Sequence, residues 1–340
     1  MPPLLEISDL RVVFPLDEGL VKAVDGVNLT IERESVVGVV GESGCGKSVT
    51  AQSILRIVPR PGRIETGKIC FHRFVSREKQ KAETVDIAQL NPAGKQIRAI
   101  RGKDIAMIFQ EPMSSFSPLY TIGSHICEAI LEHEKISKKA ARTMAIDLLA
   151  KVGIANPARR VDQYPHELSG GMRQRAMIAI AISCNPALLI ADEPTTALDV
   201  TIQAQILDLM RSLQEEFGMS ILFITHNLGA VAQIADRIAI MYLGKIMEEG
   251  SVGEVFHNPQ HPYSRDLLNA IPRIGKTRHQ RLAAIGGVIP NPFERPAGCT
   301  FHPRCKEFMP GVCDVDVPPL TQYNADHQVR CFLMTQKPQQ

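Results

Sequence analysis

The sequence lacks both a strong excess of one charge and a long apolar run. Its 340 residues carry 38 Lys and Arg against 36 Asp and Glu, a net charge of +2 that gives no general argument for nucleic-acid binding. The most hydrophobic stretch, 176–191, is shorter than a bilayer span needs and is interrupted by Asn185-Pro186. The segment 1–6 has no basic region followed by an apolar one, so we expect no signal peptide. We therefore expect a cytosolic protein whose membrane contact comes through partners.

The eight cysteines are not expected to form disulfides, because the expected compartment is reducing. Four of them lie in one short C-terminal stretch, with separations of x5, x7 and x17, which match neither a zinc-finger pair of C-x2-C units nor a ferredoxin run. Thiols clustered in a Pro-rich segment with little core nevertheless suggest a metal-binding staple. The four cysteines are Cys299, Cys305, Cys313 and Cys331.

A glycine-rich segment, 41–48, carries the clearest chemical signal. It matches G-x-x-x-x-G-K-[ST], a phosphate-binding loop, between the apolar run 36–40 and a possible helix over 49–58. Glycines allow the backbone N–H groups to point at an anion, and the helix N-terminus adds positive potential. Lys47 would reach the β- and γ-phosphates, and the Ser48 hydroxyl would ligate Mg²⁺. The predicted nucleotide-binding residues here are Gly41, Ser43, Gly44, Cys45, Gly46, Lys47, Ser48 and Val49.

Short apolar runs that alternate with helical patterns predict an α/β fold with a mainly parallel sheet. Asp192 and Glu193 end one such run, and ligands bind at the C-terminal ends of strands in open α/β sheets. Asp192 can hold Mg²⁺ through water, and Glu193 can orient or deprotonate a water that attacks a γ-phosphate. The predicted buried strands are 36–40, 105–109, 187–191 and 221–225, with helices over 169–183 and 200–217.

The remaining segments have weaker patterns. Strands are predicted at 10–14 and 27–31, and helices within 123–153, where Ser137 can cap a helix. Residues 71–96 are interpreted as a polar surface insertion with a short strand at 84–87. From about residue 255 frequent prolines predict a loop-rich extension that does not continue the sheet.

Several further motifs, in one order along the chain, make residues 4–255 resemble the ATPase subunit of an ABC transporter. Leu168-Ser169-Gly170-Gly171-Met172 resembles the family signature, with Met172 where Gln is usual. Thr196-Ala197-Leu198-Asp199 resembles the D-loop. Three single residues resemble the Q-loop glutamine, the switch histidine and the aromatic residue that stacks on adenine: Gln110, His226 and Phe14.

The resemblance implies a fold and a division into domains. It implies a RecA-like, mainly parallel sheet core, an antiparallel β subdomain and a helical signature subdomain at about 112–175. These would form an ABC ATPase domain over residues 1–255. The Pro/Cys-rich extension, 256–340, would follow.

The resemblance also implies a mechanism in which two subunits sandwich two ATP molecules. The phosphate loop of one subunit meets the signature of the other, whose nucleotide contacts come from Ser169, Gly170, Gly171 and Asp199. Losing the γ-phosphate removes the extra affinity of the closed pair. Catalysis is expected from Glu193, His226 and Gln110, with Mg²⁺ held by Ser48, Gln110 and Asp192.

The extension resembles ATPase subunits of oligopeptide/dipeptide importers. The segments that carry this resemblance are Asn258-Pro259-Gln260-His261-Pro262-Tyr263-Ser264 and Gly298-Cys299-Thr300-Phe301-His302-Pro303-Arg304-Cys305. It implies a related but different partner ATPase, two transmembrane permease subunits and an external solute-binding protein, and a place on the cytoplasmic face of the inner membrane. The cargo could be peptides, nickel, glutathione or oligosaccharides. A [4Fe–4S] cluster on the four cysteines is implied, with zinc or free thiols as alternatives.

Two other functions compete with an importer ATPase. A soluble ABC ATPase of translation usually carries two cassettes, whereas this chain has one phosphate loop, and repair ATPases insert a long coiled coil that is not seen here. A regulatory iron–sulfur protein with a vestigial ATPase is disfavoured by the complete catalytic set.

Overall fold

The computed structural model describes residues 2–76, 81–110, 116–196, 198–271 and 285–335. The chain divides into two compact units. Unit 1 comprises Met1–Leu5, Ile31–Val36 and Phe71–Ile224, and unit 2 comprises Glu6–Thr30, Val37–Cys70 and Thr225–Gln340.

Strands and helices alternate along much of the chain. The strands are β1 (Leu5–Leu16), β2 (Gly19–Ile31), β3 (Val36–Val40), β4 (Arg63–Ser76), β5 (Lys81–Asp86), β6 (Ile105–Ile108), β7 (Leu188–Asp192), β8 (Ser220–Thr225), β9 (Arg237–Tyr242), β10 (Lys245–Ser251), β11 (Thr321–Asn324) and β12 (His327–Val329). The helices are α1 (Lys47–Ile54), α2 (Lys95–Ile100), α3 (Ile122–His133), α4 (Lys138–Lys151), α5 (Pro157–Arg160), α6 (Gly170–Ala181), α7 (Val200–Phe217), α8 (Leu228–Ile234), α9 (Val252–His257), α10 (Pro262–Asn269) and α11 (Phe332–Thr335).

Unit 1 contains three parallel strands in the order β6, β7, β8. β7 and β8 are buried along their whole length, which agrees with their continuous apolar sequences. Asp192 is the last residue of β7 and pairs in register with Ile224. The parallel arrangement therefore places the first predicted carboxylate at the C-terminal end of a central strand.

The helices of unit 1 begin at side-chain caps. Ser137 accepts a hydrogen bond from the Ala140 N–H at the start of α4, as its sequence position predicts. Thr121 accepts one from the Ser124 N–H at the start of α3. Hydroxyl side chains thus fix where both helices of the predicted helical region begin.

Unit 2 combines parallel and antiparallel pairing. β3 runs parallel to β9, and β9 pairs antiparallel with β10. β1 lies between β2 and β4 in a second sheet, the antiparallel β subdomain. The phosphate-loop segment lies between the end of β3 and the start of α1, the strand–loop–helix context that the motif requires.

Of two predictions about irregular segments, one was wrong and one was confirmed in part. The extension does continue a sheet, because β12 pairs antiparallel with β10 and with β11. The strand predicted at 84–87 is confirmed over 84–86, as the second half of β5, and a 3₁₀ turn follows at Ile87–Gln89. Residues 71–76, interpreted as part of the same insertion, belong to β4. The strands of the extension were missed because their composition is polar; three of the four residues of β11, for example, are exposed. The predicted boundary at residue 255 stays a prediction.

Within the described ranges, we find no helix that combines the length and apolar character needed to cross a bilayer.

Candidate functional site

The phosphate loop can be built only with glycine at its two critical positions. Gly46 has φ of 103°, a left-handed conformation, and a Cβ there would lie 2.2 Å from the Ala23 carbonyl oxygen. A Cβ on Gly41 would lie 2.1 Å from the Met241 carbonyl oxygen. The loop backbone is therefore packed directly against neighbouring backbone of unit 2.

Lys47 bends back over the loop that it follows. Its side chain is buried, and Nζ donates hydrogen bonds to the carbonyl oxygens of Gly41 (2.8 Å) and Glu42 (3.0 Å). Ser43 and Gly44 are exposed, while Ser48 and Val49 are half-buried. The ammonium group is thus held over a loop whose tip is open to solvent, as phosphate binding requires.

Glu42 is anchored by two residues of the C-terminal extension, a contact that the sequence did not predict. Its N–H donates to the Tyr263 hydroxyl (3.1 Å), and its carboxylate accepts two hydrogen bonds from Arg304, at 2.7 and 3.0 Å. This pairing raises the pKa of Arg304 above its ordinary value. We call Glu42, Tyr263 and Arg304 the loop anchor. No local signal reveals it, because its members lie far apart in the sequence.

In unit 1, Glu193 follows the buried Asp192 in a strained backbone conformation. Its φ is 48°, in the left-handed region that non-glycine residues rarely adopt. Its N–H donates to the Ile224 carbonyl oxygen (2.8 Å), which ties it to the end of β8. Such strain persists only where surrounding contacts enforce it, and it is concentrated at functional sites.

The structure brings together Gln110 and Glu193, two of the residues predicted to be catalytic. Gln110 Nε2 donates to Glu193 Oε2 (3.1 Å), and the Thr196 hydroxyl donates to the same oxygen (2.9 Å). Thr196 is a functional candidate that sequence reasoning placed in the D-loop without giving it a role. These two donors fix the Oε2 atom and so hold the carboxylate in one orientation.

The signature segment opens α6 at the surface of unit 1. Ser169 is the N-cap and accepts a hydrogen bond from the Met172 N–H (3.3 Å). Ser169 and Gly170 are exposed, so a ligand or another subunit can reach the N-terminus of the helix. Asp199 has the same role at α7, where it accepts from the Ile202 N–H (2.9 Å). Two predicted nucleotide contacts are therefore also helix caps.

The last two predicted contacts lie at the surface of unit 2. His226 follows β8 and is exposed. Phe14 is half-buried in β1. Its ring fits against Gly62 only because Gly62 has no side chain, since a Cβ there would lie 2.4 Å from the Phe14 Cε1 atom. The adenine role of Phe14 stays a prediction.

The four clustered cysteines line one small cavity in unit 2. Its volume is about 10 Å³, close to the smallest that holds a water, and its other walls are largely apolar. Among the residues that the structure describes, no group of three or more His, Cys, Asp or Glu could hold a single metal ion. The predicted [4Fe–4S] cluster is therefore not confirmed. The lining residues are His261, Pro262, Cys299, Phe301, His302, Cys305, Glu307, Met309, Cys313, Cys331, Phe332 and Leu333.

Burial makes three of these thiols difficult to ionise. It raises the pKa of Cys305 to about 11 and that of Cys331 to about 12, and it also raises the pKa of Cys299. Neighbouring cysteines add to each increase. The thiols of Cys299, Cys305 and Cys331 are therefore protonated at neutral pH, and a metal would have to displace their protons.

Comparison with known proteins decides the family. A family described as "ABC transporter" matches residues 24–196, which is about half of the chain and spans both the phosphate loop and Glu193. The chain belongs to the ABC transporter family. As an ABC-type ATPase it couples ATP hydrolysis to transport, which confirms the predicted enzyme class. A second family, described as "Oligopeptide/dipeptide transporter, C-terminal region", matches residues 247–313 and confirms the predicted importer-group resemblance.

Relatives of this ABC ATPase align over nearly their whole length. A Brucella melitensis protein named as a peptide import ATP-binding protein is 50% identical over 336 residues, covering 97% of each chain. The dipeptide transport ATP-binding protein DppD of Bacillus subtilis is 46% identical over 338 residues, covering 99% of this chain and 96% of the relative. A dimeric ATP-binding cassette solved with ADP and Pi has a TM-score of 0.62 and 24% identity, covering 73% of this chain and 98% of that one, and it supports the fold alone.

Proposed function

We propose that this chain binds and hydrolyses ATP to power import of peptides through partner membrane subunits. The observation that carries the proposal is the preformed phosphate loop with Lys47 over it, in a chain whose relatives carry peptide-import names. Loop N–H groups and the N-terminus of α1 would bind the phosphates, and Lys47 would turn from the Gly41 and Glu42 carbonyls toward them.

Hydrolysis is assigned to the carboxylate of Glu193. Gln110 and Thr196 orient this carboxylate, which would accept a proton from the attacking water. His226 is proposed as a further catalytic residue at the γ-phosphate. Oxygen donors suit Mg²⁺, and the residues proposed to hold it are Ser48, Gln110 and Asp192. Mg²⁺ would neutralise charge on the phosphates.

A paired variant experiment tests this assignment. Lys47→Ala should lose ATP affinity, whereas Glu193→Gln should bind ATP normally and hydrolyse it at least about 100-fold more slowly, the range for a lost general base. Calorimetry measures binding, and phosphate release measures turnover. Wild-type turnover by Glu193→Gln would exclude Glu193 as the base, and unchanged ATP affinity in Lys47→Ala would exclude the loop as the cradle.

Exposed surfaces support the proposed contacts with partner subunits. A second ATPase subunit, related but different, is proposed to contribute its phosphate loop to the exposed signature at Ser169. The permease is proposed to dock on an open groove of about 620 Å³ in unit 1, lined by residues of α3 and α4. Leu119 and Tyr120, just before α3, are 79% and 58% exposed, an apolar surface suited to such contact.

Transport by the whole importer tests the cargo and these contacts. The chain is reconstituted with its permease, partner ATPase and solute-binding protein in vesicles, and labelled dipeptides, oligopeptides and nickel are compared. Leu119→Ser should lower ATP-driven uptake while leaving ATP binding by the isolated chain unchanged. Uptake of nickel alone would refute the peptide assignment, and full activity of Leu119→Ser would refute the docking surface.

The four-cysteine cavity is proposed to hold a [4Fe–4S] cluster. Such a cluster takes each thiolate on a different iron, so it does not require three side chains around one ion. Soft sulfur donors and apolar walls suit it, but the cavity of about 10 Å³ would have to widen. When bound, the cluster would staple the segment and could accept an electron.

Metal analysis decides between the three alternatives. The chain is purified without oxygen, and iron, acid-labile sulfide and zinc are measured in the wild type and in each Cys→Ser variant. Equal iron and sulfide that fall in every variant support the cluster. Zinc without iron would show that the cysteines hold a structural zinc ion and not a cluster. If neither metal is found, the four cysteines are free thiols, and the ATPase proposal is unaffected.

A further inference from the structure

The phosphate loop and the cysteine-rich segment meet at the loop anchor within unit 2. Arg304 lies at the end of the 3₁₀ turn His302–Arg304, immediately before Cys305. The turn is itself tied to the cysteines, because the His302 N–H donates to the Cys299 carbonyl oxygen (3.0 Å). From this turn the guanidinium reaches Glu42, the second residue of the phosphate loop.

Arg304 has almost no freedom to move. Its side chain is 3% exposed, and three different segments accept its hydrogen bonds. Nε donates to the Gly286 carbonyl oxygen (3.0 Å), Nη1 donates to the Tyr242 hydroxyl (3.3 Å), and both Nη atoms donate to Glu42. Because the planar guanidinium donates to both carboxylate oxygens of Glu42, it fixes the orientation of that carboxylate as well as its distance.

Glu42 is consequently held at every polar group. Its carboxylate is bound by Arg304, its N–H by Tyr263 and its carbonyl oxygen by Lys47. Tyr263 is fully buried and packs on Phe301, with ring centroids 5.2 Å apart. The first peptide groups of the loop are therefore fixed from the side of the extension, while Ser43 and Gly44 remain open to a ligand.

We propose that Arg304 is a positioning residue for nucleotide binding, which acts through Glu42 to hold the phosphate loop in its binding conformation. Fixing a backbone residue costs conformational entropy, so a loop that is already ordered binds its ligand more tightly. The proposal rests on the proposed ATP site. It implies that the cysteine-rich segment affects nucleotide affinity indirectly, through Glu42.

The test compares ATP dissociation constants of the full-length chain. Arg304→Met should raise the dissociation constant about tenfold, which equals about 1.4 kcal/mol, and Arg304→Lys should raise it less because charge remains but the fork is lost. The control is Arg265→Met. Arg265 lies in the same extension and also bonds to a carboxylate, that of Glu307, and to backbone carbonyls. Arg265→Met should therefore change the dissociation constant for ATP by no more than about twofold relative to the wild type.

A double-mutant cycle with Glu42→Gln separates positioning from general destabilisation. If Arg304 acts through Glu42, the double variant should bind ATP no more weakly than the worse single variant. The proposal would be overturned if the dissociation constant of the double variant rose by the product of the two single effects. An unchanged dissociation constant in both Arg304→Met and Arg304→Lys would also overturn it. If Arg304→Met does not fold, Arg304→Lys and Glu42→Gln still complete the cycle.

Linkage supplies a second readout that does not depend on activity. If the segment orders the loop, bound ATP must in turn stabilise the segment. Hydrogen exchange at residues 299–305 should slow with ATP in the wild type, and much less in Arg304→Lys. Equal slowing in both would overturn the proposal, whereas failure of the wild type to bind ATP would instead refute the ATP site itself.

Discussion

His261 should make the protein lose stability in mild acid. The residue is buried, and its Nδ1 accepts a hydrogen bond from the Tyr263 N–H (3.0 Å) at the start of α10. Burial lowers its pKa from 6.5 to about 4, although the nearby Glu248 carboxylate acts in the opposite direction. Protonation of Nδ1 would also break the helix cap, because the ring nitrogen could no longer accept.

The sign and size of the effect follow from the two pKa values. Between pH 6.5 and 4 the unfolded chain holds a proton on His261 and the folded chain does not, so the free energy of unfolding falls as the pH falls through this range. From pH 7 to pH 5 this amounts to about 2 kcal/mol. Burial acts to raise the pKa of Glu248, but hydrogen bonds from His327 and the Gln260 backbone outweigh it, so the pKa is lowered. The stability that Glu248 contributes is therefore lost only below its ordinary pKa of 4.5 and does not affect the comparison of pH 7 with pH 5.

Urea unfolding of the wild type, His261→Asn and His257→Asn at pH 7 and pH 5 checks this reasoning. Asn caps helices and does not titrate, so His261→Asn should lose about 2 kcal/mol less than the wild type on acidification. His257 is exposed in the same unit, and its variant should follow the wild type. Equal losses in all three proteins would refute the assignment to His261.

Three further predictions concern the ATP site. Thr196→Val removes one of the donors that hold Glu193, so ATP turnover should fall while ATP affinity measured by calorimetry stays within about twofold. Gly46→Ala should prevent ATP binding and lower the melting temperature, since the new Cβ would meet a carbonyl oxygen; normal binding would contradict the loop geometry. Ser169→Ala should cost about 1 kcal/mol in urea unfolding through the lost cap and should reduce turnover only in the presence of the partner ATPase.

Much of the candidate ATP site could be proposed from the sequence because its signals are local. The phosphate loop is a contiguous motif, and helix 200–217 was predicted with its observed bounds from apolar spacing. Asp192 and Glu193 were found because an apolar run ends directly before two carboxylates. Gln110 was predicted as a catalytic residue, but its hydrogen bond to Glu193 depends on the parallel pairing of β6 with β7.

The parts that sequence reasoning missed depend on long-range contacts. Arg304 and Glu42 are far apart in the chain, and neither has a neighbour that indicates its partner. β11 and β12 are short and largely polar. β12 becomes a strand because the edge of β10 supplies hydrogen-bond partners, and β11 in turn pairs with β12. Tertiary context therefore decided these elements against their local composition.

The pairing of β12 with β10 has a consequence for synthesis of the chain. β10 leaves the ribosome long before residues 327–329, so during synthesis the edge of β10 that pairs with β12 has no strand beside it. An open strand edge can pair with other chains and so promotes aggregation. During this interval Glu248, fully buried in the finished protein, lacks its hydrogen bond from His327 (2.7 Å). A nascent chain stalled before residue 327 should consequently recruit chaperones more strongly than one stalled shortly after it.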